Sequence, residues 1–147
     1  MEIREFTVQD IARVTPLYIA YFNEHDGDRW TEPIVVKRLG QMLNKEDSYG
    51  LLLEKDGEPA GFALGCFEQF YDGVVYNLTE ILIAGAYQKQ GLGTELMREL
   101  EKRVKEKGAF MISLLAVNDE SHERFYGRLG YADASNLVIK VKQLGSL

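Results

Sequence analysis

The sequence predicts a mixed α/β domain whose elements follow the order β α α β β β α β α β. Apolar residues recur at helical spacing over residues 7–22, and two alternating runs within residues 49–70 are joined at residues 56–57 by an Asp-Gly turn signal. A long apolar run over residues 74–84 then leads through two glycines into the leucine-spaced segment 91–108. With 147 residues, 46% of them hydrophobic, the chain is long enough to bury one core, and we expect a single domain over its whole length.

The first half of the chain predicts a strand and two helices before the hairpin. Residues 2–6 alternate as a short strand. Thr7 is expected to cap the first helix, because Asp10 follows in the position of a capping box. Thr31 is expected to cap the second helix, with Pro33 in its first turn, where the missing N–H is tolerated.

The second half predicts the remaining helices and strands. The helix over residues 91–108 carries Lys and Arg in its later turns, where the helix dipole favours them, and ends at Gly108. Residues 109–117 are typical of a buried strand, and residues 119–130 of a short helix. Residues 136–144 alternate and predict a closing strand.

Charge and composition narrow the function classes. A net charge of −6 and a pI near 5.0 disfavour binding to nucleic acid or to an anionic membrane, so we expect neither partner. Cys66 is the only cysteine, the N-terminus lacks the apolar segment of a signal peptide, and no apolar run reaches the roughly 18 residues of a membrane span. We therefore expect a cytoplasmic protein. His25 and His122 have no partners at metal-ligand spacing, and no metal is expected.

Gly91 and Gly93 lie where a strand gives way to a helix. Helix N-termini bind phosphates through unpaired N–H groups, and glycines let a phosphate approach the backbone. A P-loop is excluded because Thr94 and Glu95 follow the second glycine, and Leu96 stands where the dinucleotide fingerprint needs a third glycine. A phosphate cradle and a tight turn without a ligand both remain open.

Two motifs carry a resemblance to a known family. The run "QKQGLG" at residues 88–93 resembles the Q/R-x-x-G-x-G/A motif of the GNAT family, the acetyl-CoA-dependent N-acetyltransferases. The run "RFYGRLGY" at residues 124–131 is similar to that family's "xFYxxxGF" segment. The specific resemblance covers roughly residues 74–131 and departs at Asp119, where the family often has asparagine and where this chain has Asn118 as the neighbour.

The resemblance implies a fold, a cofactor and a set of contacts. The fold would be a mostly antiparallel sheet, splayed at the cofactor strand and flanked by helices, and the cofactor would be acetyl-CoA, released as coenzyme A. The strand would pair with the pantetheine, and the glycine turn would hold the pyrophosphate. The implied cofactor-binding residues are Ile81, Leu82, Ile83, Gln88, Lys89, Gln90, Gly91, Leu92, Gly93, Thr94, Asn118, Asp119 and Phe125.

Two side chains are implied as catalytic. Glu80 would act as a general base towards the acceptor amine, and Tyr126 would protonate the departing thiolate. A backbone N–H of Leu82 or Ile83 would polarise the thioester carbonyl. The structural alternatives are an ion pair between Glu80 and a lysine, and a packing role for the Tyr126 ring.

The acceptor is expected to be a primary amine on a cationic small molecule. Acids and aromatic residues would line its site, because they favour cations through ion pairing and cation–π contact: Tyr21, Glu24, Asp26, Asp28, Trp30 and Tyr71. Solvated loops are the alternative. A peptide or protein N-terminal acetyltransferase, a non-catalytic acyl-CoA-binding module and a nucleotide-binding or oligomeric interaction domain remain alternative functions. The sequence also leaves open whether the chain forms a homodimer.

Overall fold

The computed structural model of the protein covers residues 1–147. Its elements, in chain order, are β1 (Glu2–Glu5), α1 (Asp10–His25), α2 (Glu32–Leu43), β2 (Ser48–Lys55), β3 (Glu58–Phe70), β4 (Gly73–Ile83), a 3₁₀ turn (Gly85–Tyr87), α3 (Leu92–Glu106), β5 (Ala109–Leu114) and α4 (Glu120–Arg128). The chain divides into two compact units, Met1–Leu115 and Ala116–Leu147. The expectation of a single domain therefore stays a prediction.

The five strands form one sheet in the order β1-β2-β3-β4-β5. The first three pairings are antiparallel, and only β4 and β5 run parallel. This confirms the predicted mixed α/β class with a mostly antiparallel sheet. The hairpin between β2 and β3 turns at Asp56 and Gly57, which both have positive φ, as the sequence signal predicts.

Helices cover both faces of the sheet. Leu52, Phe62 and Leu82 belong to the buried cluster that packs against α1 and α2. Side chains alternate along a strand, so Tyr49 on β2 faces the other side, where Lys107 at the end of α3 lies 4.8 Å from the centre of its ring. The apolar stripe of α3 is fully covered on that side.

The predicted closing strand over residues 136–144 is absent, and this part of the prediction was wrong. Residues 132–147 contain no helix or strand, and Ile139 and Val141 are 64% and 90% exposed. An alternating pattern makes a segment able to form a strand, but the strand forms only when a partner supplies its hydrogen bonds. No strand of the structure pairs with this segment.

The start of α1 also differs from the prediction. The helix begins at Asp10 with Gln9 before it, so Thr7 is not the cap residue. The Asp10 carboxylate instead accepts hydrogen bonds from the Thr7 N–H, at 2.9 Å, and from the Thr7 hydroxyl, at 3.2 Å. The prediction for α2 is confirmed: Thr31 occupies the N-cap and Pro33 the first turn.

Asp10 anchors an ion cluster that joins β1, α1 and β2. Its carboxylate is 2% exposed and lies 2.8 Å from Arg4, while Glu54 pairs with Arg4 at 3.0 Å and with Arg13 at 2.8 Å. Burial by itself would raise the pKa of Asp10, but hydrogen bonds from Arg4 and Thr7 outweigh burial and lower the pKa to about 2. The folded state therefore favours the ionised carboxylate.

Asp10→Asn should lower the free energy of unfolding at pH 7 by about 1–2 kcal/mol. The reason is that the ionised Asp10 carboxylate stabilises the folded state at pH values above the pKa that Asp10 has in the unfolded chain. The difference between the two proteins should shrink as the pH falls from about 4 towards 2, where the carboxylate becomes protonated in both states. Urea unfolding at pH 7 and pH 3 measures this. Asp72→Asn, an exposed position in the β3–β4 turn, is the control. Equal effects of the two substitutions at pH 7 would contradict the account.

Candidate functional site

The edge of β4 is open over its last residues. β5 pairs with β4 from Val74, opposite Ala109, to Leu78, opposite Leu114, and then ends. Residues 80–83 of β4 keep β3 on one side and have no strand on the other. The sheet therefore opens beside β4, as the resemblance implies.

Backbone groups of two β4 residues point into this open edge. The Ala84 N–H donates to the Ala60 carbonyl on the β3 side, at 2.8 Å. Successive residues of an antiparallel strand alternate the side to which their N–H and C=O groups point, so Leu82 also bonds towards β3. The groups of Ile81 and Ile83 point the other way. Of the two amides expected to polarise a carbonyl, Ile83 is suitably placed and Leu82 is not.

A β-bulge sets the direction of the Glu80 side chain. Glu80 is opposite Leu64 and Leu78 is opposite Gly65, so Thr79 is an extra residue in β4 without a partner in β3. Directly opposed residues share a face of the sheet, which places Glu80 with Leu64 on the face covered by α1 and α2. Without the extra residue, Glu80 would share the face of Leu78.

One oxygen of Glu80 is held by α1 and α2. Its Oε2 accepts from the Tyr18 hydroxyl at 3.3 Å, from Arg38 Nε at 3.2 Å and from Arg38 Nη2 at 3.0 Å. Arg38 Nε also donates to the Tyr18 hydroxyl, at 3.1 Å. Glu80 thus forms an ion pair, as the structural alternative expected, but with an arginine rather than a lysine. Its other oxygen, Oε1, accepts no hydrogen bond from the protein.

Burial dominates the electrostatics of this group. Burial raises the pKa of Glu80, while the hydrogen bonds and charge of Arg38 and the hydroxyl of Tyr18 act in the opposite direction and limit the rise. Burial, together with the nearby Glu80 charge, raises the pKa of Tyr18 to about 12, so this phenol stays protonated at neutral pH. Glu80 is therefore a carboxylate whose affinity for a proton is increased by its surroundings.

The glycine turn, residues 88–93, follows β4 after the 3₁₀ turn Gly85–Tyr87. Gln88 donates from its side chain to the Ile83 carbonyl at 3.0 Å, which ties the turn to the strand. Gly91 has φ +76°, a conformation that glycine adopts at little cost, and a Cβ added there would meet no atom of the protein within 4 Å. Lys89 also has positive φ, at 62°. The turn is held open towards solvent on the side of Gly91.

The first N–H groups of α3 are unpaired within the helix. The first backbone bond of the helix runs from the Glu95 N–H to the Gly91 carbonyl, at 3.1 Å. The N–H groups of Leu92, Gly93 and Thr94 therefore have no intrahelical partner, as at any helix start. Lys55 on β2 donates to the Gln90 side chain at 2.7 Å, which adds a positive charge next to these groups. The turn can thus hold an anion.

The loop between α1 and α2 is organised around Trp30. Asn23 binds the Trp30 backbone through both ends of its amide, at 2.9 and 3.1 Å, and Asp28 accepts from the indole N–H at 3.1 Å. The indole packs edge-on against Tyr18, with ring centroids 5.2 Å apart, and the Arg38 guanidinium lies 6.0 Å from its ring centre. Trp30 is thereby connected to the Glu80 site.

The other predicted acceptor residues are divided between two places. Glu24 and Asp26 are exposed at the end of α1, and Tyr21 stacks on His25 with ring centroids 4.5 Å apart. Tyr71 is fully exposed at the β3–β4 turn, roughly 20 Å or more along β4 from Glu80. The first group lies where α1 ends and the loop to Trp30 begins, whereas Tyr71 lies at the other end of β4.

The second unit contains the remaining predicted residues. Asp119 is the N-cap of α4, and its carboxylate accepts from the His122 N–H at 2.8 Å and pairs with the His122 ring at 2.7 Å. Asn118 precedes it and is exposed. Tyr126 packs edge-on between Phe125 and Tyr131, with ring centroids 5.0 and 5.8 Å away. The cap role accounts for Asp119 within α4, and the cofactor roles of these residues stay predictions.

Three residues of the site were not predicted from the sequence. Tyr18 and Arg38 reach Glu80 from helices that lie 62 and 42 residues earlier in the chain. Lys55 reaches the glycine turn from β2. Each contact depends on tertiary packing, and the only available signal was the buried glutamate, which requires a cationic partner somewhere.

No group of three or more His, Cys, Asp or Glu side chains is arranged to hold a metal ion. No helix has the length and apolar character needed to span a membrane.

Comparison with known proteins agrees with this architecture. The sequence model of the Acetyltransferase (GNAT) family matches residues 11–131. A GNAT family acetyltransferase from Staphylococcus aureus has 26% sequence identity and a TM-score of 0.72, with 97% of this chain and 98% of that chain covered. A comparison with curated protein sequences finds no match.

Two further solved structures share the fold at lower identity. An aminoglycoside N-acetyltransferase in complex with CoA is 14% identical, with a TM-score of 0.75 and coverage of 97% of this chain and 94% of that chain. A ribosomal-protein-alanine N-acetyltransferase from Brucella melitensis biovar Abortus is 18% identical, with a TM-score of 0.75 and coverage of 96% and 100%.

Proposed function

Because the chain belongs to the GNAT family of acetyltransferases, we propose that it transfers the acetyl group of acetyl-CoA to a primary amine on a cationic small molecule, by direct attack of the amine on the thioester. One observation carries the proposal. Glu80, with one carboxylate oxygen unbonded, lies on the same stretch of β4 whose Ile81 and Ile83 backbone groups point into the open edge. A proton acceptor and unpaired amide donors thus lie within four consecutive residues.

The residues present fit acetyl-CoA. The amide groups of the pantetheine arm match the unpaired N–H groups of Ile81 and Ile83, as an added strand would. The unpaired N–H groups at the start of α3 suit the pyrophosphate, and Lys55 adds positive charge. The position of a Cβ on Gly91 is open, which leaves room for a phosphate against the backbone. When bound, acetyl-CoA supplies the acetyl group as a thioester.

The residues of the chain then have separate tasks. A primary amine with a pKa near 10 is about one part in a thousand neutral at pH 7, so Glu80 accepts its proton directly or through a water molecule. The N–H of Ile83 or Ile81 donates to the thioester oxygen as that oxygen gains charge. The bond from nitrogen to the acetyl carbon would form and the bond from that carbon to sulfur would break. Tyr126 would give a proton to the sulfur, and the second proton that the nitrogen loses on becoming an amide would restore the Tyr126 hydroxyl through solvent.

The acceptor class follows from the charges around Trp30. The exposed carboxylates of Glu24 and Asp26 and the aromatic rings near them favour a cation. Asp28 belongs to the same loop, and its carboxylate accepts the Trp30 indole N–H. The similar fold of an aminoglycoside N-acetyltransferase is consistent with a cationic acceptor. The similar fold of a ribosomal-protein-alanine N-acetyltransferase favours a peptide N-terminus as the second candidate.

Release of the coenzyme A thiol, measured over a panel of amines, tests the proposed function. The panel comprises putrescine, its singly charged counterpart butylamine, an aminoglycoside, glycinamide and an alanine-terminated peptide. Putrescine or the aminoglycoside should react faster than butylamine, and Glu24→Gln with Asp26→Asn should raise their KM by roughly fivefold or more while acetyl-CoA affinity is retained.

The matched control removes two negative charges elsewhere, by Glu46→Gln with Glu106→Gln, both exposed positions. This control should leave KM unchanged. Equal rates with putrescine and butylamine, together with an indifferent double variant, would show that the loop is a solvated surface. A preference for the peptide would favour the second candidate.

Gly91→Val should weaken acetyl-CoA binding by at least about tenfold, because the branched side chain occupies the open side of the turn and disfavours positive φ. Gly108→Val is the matched control: Gly108, beyond the other end of α3, also has positive φ and also has open space around its Cβ position. Both variants should lose about 1–2 kcal/mol of stability, but only Gly91→Val should lose affinity in titration calorimetry. Unchanged acetyl-CoA affinity in the Gly91 variant would remove the turn from the cofactor site.

Tyr126→Phe should lower kcat by roughly 100-fold or more while acetyl-CoA affinity changes little, because the variant keeps the ring and loses only the proton donor. The loss of stability should be about 1 kcal/mol or less. Steady-state kinetics and calorimetry measure the two effects. Turnover within about threefold of the unmodified protein would make Tyr126 a packing residue.

A further inference from the structure

The two oxygens of the Glu80 carboxylate differ in their surroundings. Oε2 accepts all three bonds that reach the group, from Tyr18 and from two nitrogens of Arg38. No buried side-chain nitrogen or oxygen in the protein lacks a partner, so the unbonded Oε1 retains contact with solvent. Oε2 is therefore held by the protein, while Oε1 is accessible to solvent.

We propose that Arg38 and Tyr18 are positioning residues for the reaction. They hold Oε2 of Glu80 so that Oε1 faces the acceptor amine, and they keep the Glu80 carboxylate ionised. This inference rests on the proposed function, in which Glu80 accepts the proton of that amine. It assigns the orientation and the ionisation of Glu80 to two residues of α1 and α2 that do not themselves contact the reacting atoms.

The two positioning residues are themselves fixed. The Tyr18 side chain is 1% exposed and packs among Phe22, Trp30 and Phe62, with ring centroids 4.7, 5.2 and 6.4 Å away. Its hydroxyl accepts from Arg38 and donates its single proton to Glu80, so each group fixes the direction of the next. A buried phenol with this packing cannot move without opening the core between α1 and the sheet.

Arg38 also decides the charge of Glu80. The charged and titratable groups that face this carboxylate are Arg38 from α2 and Tyr18 from α1, while β3 presents Leu64 directly opposite. Burial raises the pKa of Glu80 and the Arg38 guanidinium opposes that rise, so removal of the guanidinium would raise the pKa further. Less Glu80 would then be ionised at any given pH, and the acidic limb of the rate profile would move to higher pH.

The pH dependence of kcat/KM for Arg38→Gln, measured with the fastest amine of the panel, tests the inference. We expect a loss of at least about tenfold at pH 7 that diminishes as the pH rises, with the acidic limb displaced upwards and acetyl-CoA affinity unchanged. Arg38→Lys keeps the charge. It should restore part of the rate and return the acidic limb most of the way to the pH at which it lies in the unmodified protein. Tyr18→Phe should lower the rate with a smaller displacement.

Arg103→Gln is the matched control, since Arg103 holds Glu99 at 2.9 Å in a comparable ion pair on α3. It should leave the profile in place. A loss in Arg38→Gln that is the same at every pH, or that Arg38→Lys does not relieve, would reduce Arg38 to a structural residue and overturn the inference. Thermal unfolding of each variant shows whether the fold has survived.

A second readout does not depend on catalysis. Carbon-13 NMR titration of the side-chain carboxyl of Glu80, assigned through Glu80→Gln, should show a higher pKa in Arg38→Gln than in the unmodified protein. Addition of putrescine should perturb this signal at neutral pH. If no amine of the panel is acetylated, the proposed function fails, whereas an unchanged titration in Arg38→Gln overturns the positioning role itself.

Discussion

The site depends on one irregularity of the sheet, the bulge that places Thr79 in β4 without a partner in β3. The bulge turns Glu80 to the face of α1 and α2. β5 ends opposite Leu78, just before the bulge, so the same few residues also lose their second strand neighbour. Bulges commonly re-aim a side chain and end strand pairing, and here both consequences occur together.

The direction given to Glu80 creates an electrostatic requirement. A carboxylate buried against two helices is costly unless a charge and hydrogen bonds compensate it. Arg38 from α2 and the Tyr18 hydroxyl from α1 supply them. This ion pair contrasts with the one at Asp10, where hydrogen bonds from Arg4 and Thr7 outweigh burial and the pKa falls to about 2. At Glu80 burial prevails, and the pKa rises.

The sequence predicted most of the helices and strands because their signals are local. The Asp56-Gly57 turn, the Thr31 N-cap and Gly91 at the start of α3 each depend on a few neighbouring residues, and each lies where it was expected. Residues 136–144 show the limit of this reasoning, because alternation indicates a strand but does not supply its partner.

The candidate site was predictable only in part, for a related reason. A glutamate within an apolar strand is unusual, so Glu80 could be recognised from the sequence as a candidate functional residue. Its partners could not, since they depend on how α1 and α2 pack across the sheet. The sequence also could not show to which side of β4 each backbone N–H points, because this depends on the bulge and on the register with β3.

Amide hydrogen exchange by NMR, with and without acetyl-CoA, tests the central claim that the open edge of β4 receives the cofactor. Leu82, whose N–H bonds towards β3, should exchange slowly in both states. Ile81 and Ile83 should exchange faster without ligand and slow by at least about tenfold when acetyl-CoA is bound. Binding of acetyl-CoA that leaves the exchange of Ile81 and Ile83 unchanged would contradict the account.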